Sequence, residues 1–260
     1  MKKVLIIAGS DSGAGAGIQA DLKTCFARGV YPTTAITALT AQNTKGVQDV
    51  FTISQEFVAK QIDSVMSDIG ADVWKTGMLA NKHIITTVAE KAKQYRIQKI
   101  VIDPVMVSQS GHALLETDAK DNFIKQLIPL SFILTPNIPE AQVLTGIKIT
   151  SIETMKEAAK LLYEMGARHV VVKGGHRENK FAVDILYAGK AFTEFTSPMI
   201  TTTNTHGTGC TFASCVAAEL AKGKGVADAV SIAKNYITKA IEKAVDQKIG
   251  TGNGPVDHYA

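Results

Sequence analysis

"VLIIAGSDSGAGAGIQAD", residues 4–21, runs from an apolar stretch through a glycine-rich turn into residues suited to a helix. Strand, tight turn and helix in succession form the opening unit of an α/β fold, and the rest of the chain repeats the alternation. Short β-branched runs recur at "TTAITALTA", "DVWKTGM", "KIVIDPVM", "FILTPN" and "HVVVKGG". Between most of them lie amphipathic stretches such as "QEFVAKQIDSVMSDI", "KHIITTVAEKAKQYR" and "ETMKEAAKLLYEMG". Strands that are apolar throughout and alternate with helices predict a mostly parallel sheet covered on both faces. Residues 182–197 predict an antiparallel hairpin instead, turning at Ala188, Gly189 and Lys190. Two helices are expected after it, near 209–221 and 226–245. With no internal repeat, low-complexity segment or linker, residues 1–260 are expected to form one domain.

The bulk numbers narrow the function. Of the 260 residues, 20% are charged and 45% hydrophobic, a globular balance. The formal charge of +4 and pI near 8.8 are mildly basic, and the Lys and Arg residues are scattered. That pattern argues against a nucleic-acid partner and suits a small anionic ligand. The opening "MKKVLIIAGSD" reads as a first strand rather than a signal peptide, because its apolar run is short and Asp11 follows with no cleavage-type site. No apolar stretch approaches the roughly 20 residues that cross a bilayer, so no membrane association is expected. The three cysteines, Cys25, Cys210 and Cys215, show no CxxC spacing. A disulfide framework or zinc site is therefore not expected, and a reducing cytoplasmic location is.

Polar residues follow the expected strands at Asp11, Gln42, Lys75, Asp103, Asn137 and Lys173. Ligands of open α/β sheets bind at the carboxyl ends of strands, so this shared position marks a candidate site. The turn at 9–21 fails the strict nucleotide-loop patterns: no Lys-Ser or Lys-Thr closes a Walker spacing, and Gly13, Gly15 and Gly17 miss G-x-G-x-x-G. A plain strand-to-helix turn and a ligand-approach loop both remain open there, with Asp21 on the first turn beyond it. "THGTGC", residues 205–210, leads directly into the apolar "CTFASCVAAEL". Free amides at a helix amino end favour an anion, although Thr208 acting as N-cap would account for the same residues. A thiol in that position is expected to be partly ionisable and reactive, whereas Cys25 and Cys215 fit plain packing. Asn137 and Glu140 form a capping-box pattern that needs no ligand. Asp103 has no such structural role, and with Glu140 it could attract Mg²⁺. Lys173 could pair with phosphate or be solvated. His206 and His112 are candidates to border the site.

In this order the segments resemble the ribokinase-like superfamily, and more closely the hydroxymethylpyrimidine/phosphomethylpyrimidine kinases of thiamine biosynthesis. The resemblance spans the chain: "AGSDSGAGAGIQADLKT", "ITALTAQNTKGVQ", "KTGML", "VIDPVM", "SGHALL", "TPNIPEA", "VVVKGGH", "NTHGTGCTFAS" and "GNGPVDH". It implies a three-layer α/β/α sandwich and an ATP- and Mg²⁺-dependent kinase acting on a pyrimidine alcohol and then on its monophosphate. Gly207, Thr208, Gly209 and Cys210 would form the anion hole, and Lys173 would contact ATP phosphates, with Asn137 beside them. Asp103 and Glu140 would organise Mg²⁺, while Ala16, Asp21, Gln42, Met78 and Val105 would match the pyrimidine pocket. "VSQSGHALL" would correspond to a covering loop. A homodimer is also implied. Sugar kinases of this fold carry aspartate where Cys210 stands. A thiol can stay neutral toward an already phosphorylated acceptor, which carries about −1.5 to −2 charge near neutral pH and suits a carboxylate badly, or ionise when an alcohol must be activated, so that one site performs both steps. Pyridoxal kinase, which shares the fold and the GxGC turn, is the rival reading.

Overall fold

The computed structural model describes residues 1–106, 114, 116, 119–175 and 180–260. The opening stretch folds as read, into strand β1 (Lys3–Asp11), a glycine turn and helix α1 (Gly17–Ala27). Strand β2 (Tyr31–Asn43) and strand β3 (Gly46–Thr52) follow, then α2 (Gln55–Asp68), β4 (Val73–Thr76), α3 (Lys82–Gln94) and β5 (Ile100–Ile102). A short helical run begins with α4 (Lys120–Asn122) and continues through a wide turn, Phe123–Leu127, and a tight one, Ile128–Leu130. The chain then forms β6 (Ile133–Leu134), α5 (Ile138–Thr145), α6 (Ile152–Glu164), β7 (Val170–Val172), β8 (Phe181–Tyr187), β9 (Phe192–Pro198), α7 (Thr208–Ala221) and α8 (Val226–Ala244).

Nine strands join in one sheet in the order β3-β2-β1-β4-β5-β6-β7-β8-β9. The six from β2 to β7 run parallel, while β3, β8 and β9 are antiparallel additions at the two edges. The β8–β9 hairpin is the one the sequence predicts. Strand β3 is not anticipated, because "GVQDVFT" is half polar and sits at an edge where only one face needs covering. Period-two side chains explain the layering. Leu5, Ile7, Trp74, Ile100 and Ile102 enter the core that packs α2, α3, α5 and α6. Val4, Ile6, Val73 and Val101 enter the opposite core, with α1, α7 and α8. Helix α7 is buried from Thr211 to Ala221, so the centre of that second layer is a helix covered on every side.

Two charged residues lie inside this core. Lys75 and Asp21, both fully buried, meet at 2.8 Å through both carboxylate oxygens, and Ser214 Oγ donates to Asp21 Oδ1 at 2.7 Å. Burial works against the Lys75 ammonium, but Asp21 outweighs it and holds the lysine above its ordinary pKa. The triad ties β4, α1 and α7 together at one level. Both residues belong among the expected site groups, yet the structure places them beneath the site, because a desolvated charge stays where its partner is. Asp21→Ala leaves Lys75 unpaired and is expected to cost about 3–5 kcal/mol in chemical unfolding. The double variant Asp21→Leu, Lys75→Met should recover most of that loss; a near-wild-type midpoint for Asp21→Ala alone would contradict the account.

Candidate active site

Helix α7 starts on Gly207, whose φ of +83° is a left-handed conformation. A Cβ there would strike the Gly15 carbonyl, and one on Gly15 would strike the His206 ring. The two glycine-rich loops therefore dovetail, backbone against backbone. Thr208 does not act as the N-cap: its hydroxyl donates to the Thr205 carbonyl at 2.7 Å, and no side chain caps the helix. With the first-turn amides free of a cap, the anion-binding reading of "THGTGC" gains over the plain-turn reading.

Opposite that turn stand the charged groups. A Cβ on Gly209 would lie 3.3 Å from Lys173 Nζ and 3.5 Å from Asp103 Oδ2, so the helix amino end passes beside both. Lys173 Nζ bonds to Asp103 Oδ1 at 2.8 Å, and Thr135 Oγ1 lies 3.2 Å from the same oxygen. The expected capping box is present: Asn137 Oδ1 accepts from the Glu140 amide, and Glu140 Oε2 from the Asn137 amide, each at 2.8 Å. Both residues nevertheless line the same cavity as Lys173, so capping and site roles coexist. Burial pushes the Glu140 carboxyl up to about 7, Lys173 pulls it down and Asp103 raises it. Lys173 itself is held above its ordinary value by Asp103 and Glu140, against burial. Two carboxylates facing one cavity, one of them short of compensating charge, fit a Mg²⁺ ion that takes one or two protein oxygens and completes its shell with phosphate and water. Among the described residues no group of three or more His, Cys, Asp and Glu could hold a metal alone.

The cavity has a volume of about 670 Å³, within the range of small-molecule sites. From the sequence-derived set it brings together Ala16, Gln42, Met78, Val105, Asp103, Asn137, Glu140, Lys173, Gly207, Thr208, Gly209 and Cys210. Asp21 and Lys75 are not on its wall. His206 is, whereas His112 and all of "VSQSGHALL" except Leu114 lie outside the described residues. Cys210 corrects the expectation of an easily ionised thiol: burial and the Asp21 and Asp103 carboxylates push it up to about 12, against Lys75 and the Gly17 amide. The helix amino end is outweighed by desolvation. One pair was missed altogether. Asp184 and Lys234 meet at 2.9 Å on the cavity wall, and Asp184 also accepts from the Gly174 amide. Asp184 interrupts the apolar run "AVDIL", which is a legible signal; Lys234 resembles any lysine of an amphipathic helix.

A mostly parallel sheet, an uncapped helix amino end and a lysine–carboxylate pair thus stand around one cavity of small-molecule size. The chain belongs to the phosphomethylpyrimidine kinase family, whose model matches residues 11–257. It is 46% identical over 259 residues to a hydroxymethylpyrimidine/phosphomethylpyrimidine kinase of Bacillus subtilis, covering 99% of this chain and 95% of that one. It is 50% identical to a thiamine biosynthetic bifunctional enzyme of Arabidopsis thaliana and 51% to the thiamine biosynthesis bifunctional protein ThiED of Geobacter sulfurreducens. These matches cover 99% and 98% of this chain but only 50% and 52% of those proteins, so the chain spans about half their length. Among solved structures, an ADP complex of Bacillus subtilis pyridoxal kinase superposes with TM-score 0.92 at 40% identity, covering 100% of this chain and 98% of that one. Staphylococcus aureus pyridoxal kinase with AMP-PCP and pyridoxal gives 0.92 at 39%, covering 100% and 94%. A Clostridium difficile phosphomethylpyrimidine kinase gives 0.83 at 44%, covering 93% and 100%.

With its pKa near 12, Cys210 is neutral throughout the physiological range. An ultraviolet thiolate titration of the folded protein should show no ionisation through neutral and mildly alkaline pH. An inflection near neutrality that disappears in Cys210→Ser would overturn this.

Proposed function

We propose that residues 1–260 act as one kinase domain that transfers phosphate from ATP to a hydroxymethylpyrimidine and then to the resulting monophosphate. The observation that carries this reading is the Gly209 backbone, which runs beside Lys173 and Asp103 in the cavity that also contains Gln42. The amides at the start of α7 would receive the migrating phosphoryl group, and Lys173 would neutralise phosphate oxygens, with Asn137 alongside. Asp103 and Glu140 would hold Mg²⁺, which when bound neutralises charge on the nucleotide phosphates. Ala16, Gln42, Met78 and Val105 would form the acceptor wall. A carboxamide such as Gln42 donates and accepts together, matching a ring nitrogen beside an exocyclic amino group. Cys210 would remain neutral, so that a phosphorylated acceptor meets no added negative charge.

Pyridoxal is the second acceptor to weigh, because solved structures of pyridoxal kinases superpose at TM-score 0.92. The two proteins described above that are named phosphomethylpyrimidine kinases are the more similar in sequence, at 44% and 46%, against 39% and 40% for the pyridoxal kinases. Purified protein given ATP and one acceptor at a time should turn over hydroxymethylpyrimidine and its monophosphate faster than pyridoxal. Lys173→Ala should slow both pyrimidine steps by at least about a hundredfold, and Cys210→Asp should slow the second more than the first. ATP consumption that no acceptor stimulates would defeat the proposal, and near-normal turnover by Lys173→Ala would remove that residue from it.

We further propose that the protein is cytoplasmic, with three free cysteines, and works as a homodimer. Leu39 and Phe51 lie directly opposite each other on the antiparallel β2–β3 edge, and both are exposed, at 44% and 68%. Such an apolar pair suits a second copy of the chain. Sedimentation equilibrium should give a dimer that Phe51→Lys shifts toward monomer; a monomeric wild type would end this part of the proposal.

A further inference from the structure

Gln42 stands where the ladder around β2 comes apart on both sides. On one side β1 ends at Asp11, which pairs with Thr40, while β2 runs on to Asn43. On the other side the register with β3 slips: Ala41 faces Asp49 but Gln42 faces Val47, so Gln48 is the extra residue of a bulge. A bulge disrupts the ladder locally. Beyond Thr40 a side chain takes the place of the missing β1 backbone. The Ser12 hydroxyl accepts from the Gln42 amide at 2.8 Å and donates to the Gln42 carbonyl at 2.7 Å. The N–H and C=O of one residue in an extended strand point to the same side. A hydroxyl, with one proton and two lone pairs, satisfies both at once.

Ser12 is itself pinned by its neighbours. Asp11 Oδ1 accepts from the Gly13 amide at 2.7 Å, and Oδ2 from the Gly15 and Ala16 amides at 3.0 and 2.8 Å, so the turn is wound round one carboxylate. A Cβ on Gly13 would lie 3.4 Å from the Gln42 carbonyl oxygen and 3.5 Å from Asn43 Cα, so the turn rests directly on the end of β2. Ser12 is exposed and off the cavity wall, whereas Gln42 is on it. The carboxamide end of Gln42 has no comparable anchor. Thr40 Oγ1 lies 3.2 Å from Gln42 Oε1, but its single proton goes to the Ser10 carbonyl at 3.0 Å. Gln42 Nε2 faces, at 3.3 Å, a His206 nitrogen that is itself 2.8 Å from the Asp11 carboxylate. The direction in which this side chain enters the cavity is therefore set at its backbone. We propose that Ser12 is a positioning residue for the acceptor: by bonding both backbone groups of Gln42, it fixes the point from which the carboxamide reaches a heteroaromatic ring in the cavity. This rests on Gln42 belonging to the acceptor wall, as proposed above. The effect of Ser12 on turnover passes through Gln42 alone.

Ser12→Ala removes both bonds at an exposed position, outside the core. The Gln42 backbone amide should then exchange its hydrogen with solvent about fivefold faster in the folded protein, and Ser12→Thr, which keeps the hydroxyl, should restore its protection. In turnover, Ser12→Ala should raise the KM for hydroxymethylpyrimidine about fivefold and leave the KM for ATP within about twofold of wild type; Ser12→Thr should return the first to its wild-type value. Gln42→Ala should raise the same KM, and adding Ser12→Ala to it should change nothing further, because the route for its effect is gone. A general weakening of the fold would neither spare the KM for ATP nor vanish in that background. Unchanged exchange or unchanged acceptor KM in Ser12→Ala, no recovery in Ser12→Thr, or a fully additive loss in the double variant would each overturn the proposal. Failure of the functional reading would look different: the Gln42 amide loosens in Ser12→Ala and recovers in Ser12→Thr, while the wild type turns over neither hydroxymethylpyrimidine nor its monophosphate.

Discussion

Gly15 and Gly207 meet with no side chain between them, and the loop after β1 can approach the amino end of α7 only on that condition. The approach fixes how far the cavity wall at Ala16 stands from the amides that open the helix. Phosphoryl transfer depends on such a distance more than on any single reactive group, because misplacement by an ångström removes the benefit of alignment. The buried body of α7 supports the same constraint from below. A helix packed on every side from Thr211 onward cannot slide or roll, so its first turn is presented to the cavity by a rigid element.

Charge is distributed to match. Lys75 and Lys173 are each paired with a single aspartate at 2.8 Å, but their surroundings assign them different work. The Lys75–Asp21 pair is sealed, with Ser214 supplying a further bond, and its charge is spent on holding three elements in register. The Lys173–Asp103 pair opens into the cavity beside Glu140, where the lysine faces two carboxylates and stands next to a helix amino end. Position in the strand sets this difference: Lys75 lies inside β4, whereas Lys173 lies one residue beyond β7.

Much of this is legible in the sequence because it rests on patterns with a fixed period. Alternation of apolar strands with amphipathic helices reads out the layers, and a polar residue just past a strand reads out the cavity at Asp103, Asn137 and Lys173. What escapes is whatever depends on partners distant in the chain. Strand β3 takes its structure from pairing with β2 rather than from its own half-polar residues. Asp21 reads as a site residue until the partner 54 positions away draws it below the floor. The thiol of Cys210 reads as activated by local geometry alone; the two aspartates and the desolvation that reverse this belong to other elements. Lys234 has no local signal at all, since its buried partner Asp184 sits on a different strand.

The reversal at Cys210 bears on why a thiol stands there. Glu140 is already pushed up to about 7 by burial, with Asp103 adding to the rise and Lys173 the cation that opposes it. A third carboxylate, on the first turn of α7, would add negative charge to a region where the present two are incompletely compensated. Against a neutral alcohol that addition could be absorbed by the nucleotide's cation. Against a phosphate monoester, itself about −1.5 to −2, the repulsion would fall on the attacking oxygen and oppose its approach to the phosphoryl group. A residue that is small, able to accept the Gly17 N–H and neutral at working pH avoids this without opening a void. Under the proposed function, cysteine at 210 suits the charge already present at 103 and 140, and an acid at 210 would suit only acceptors that carry no phosphate.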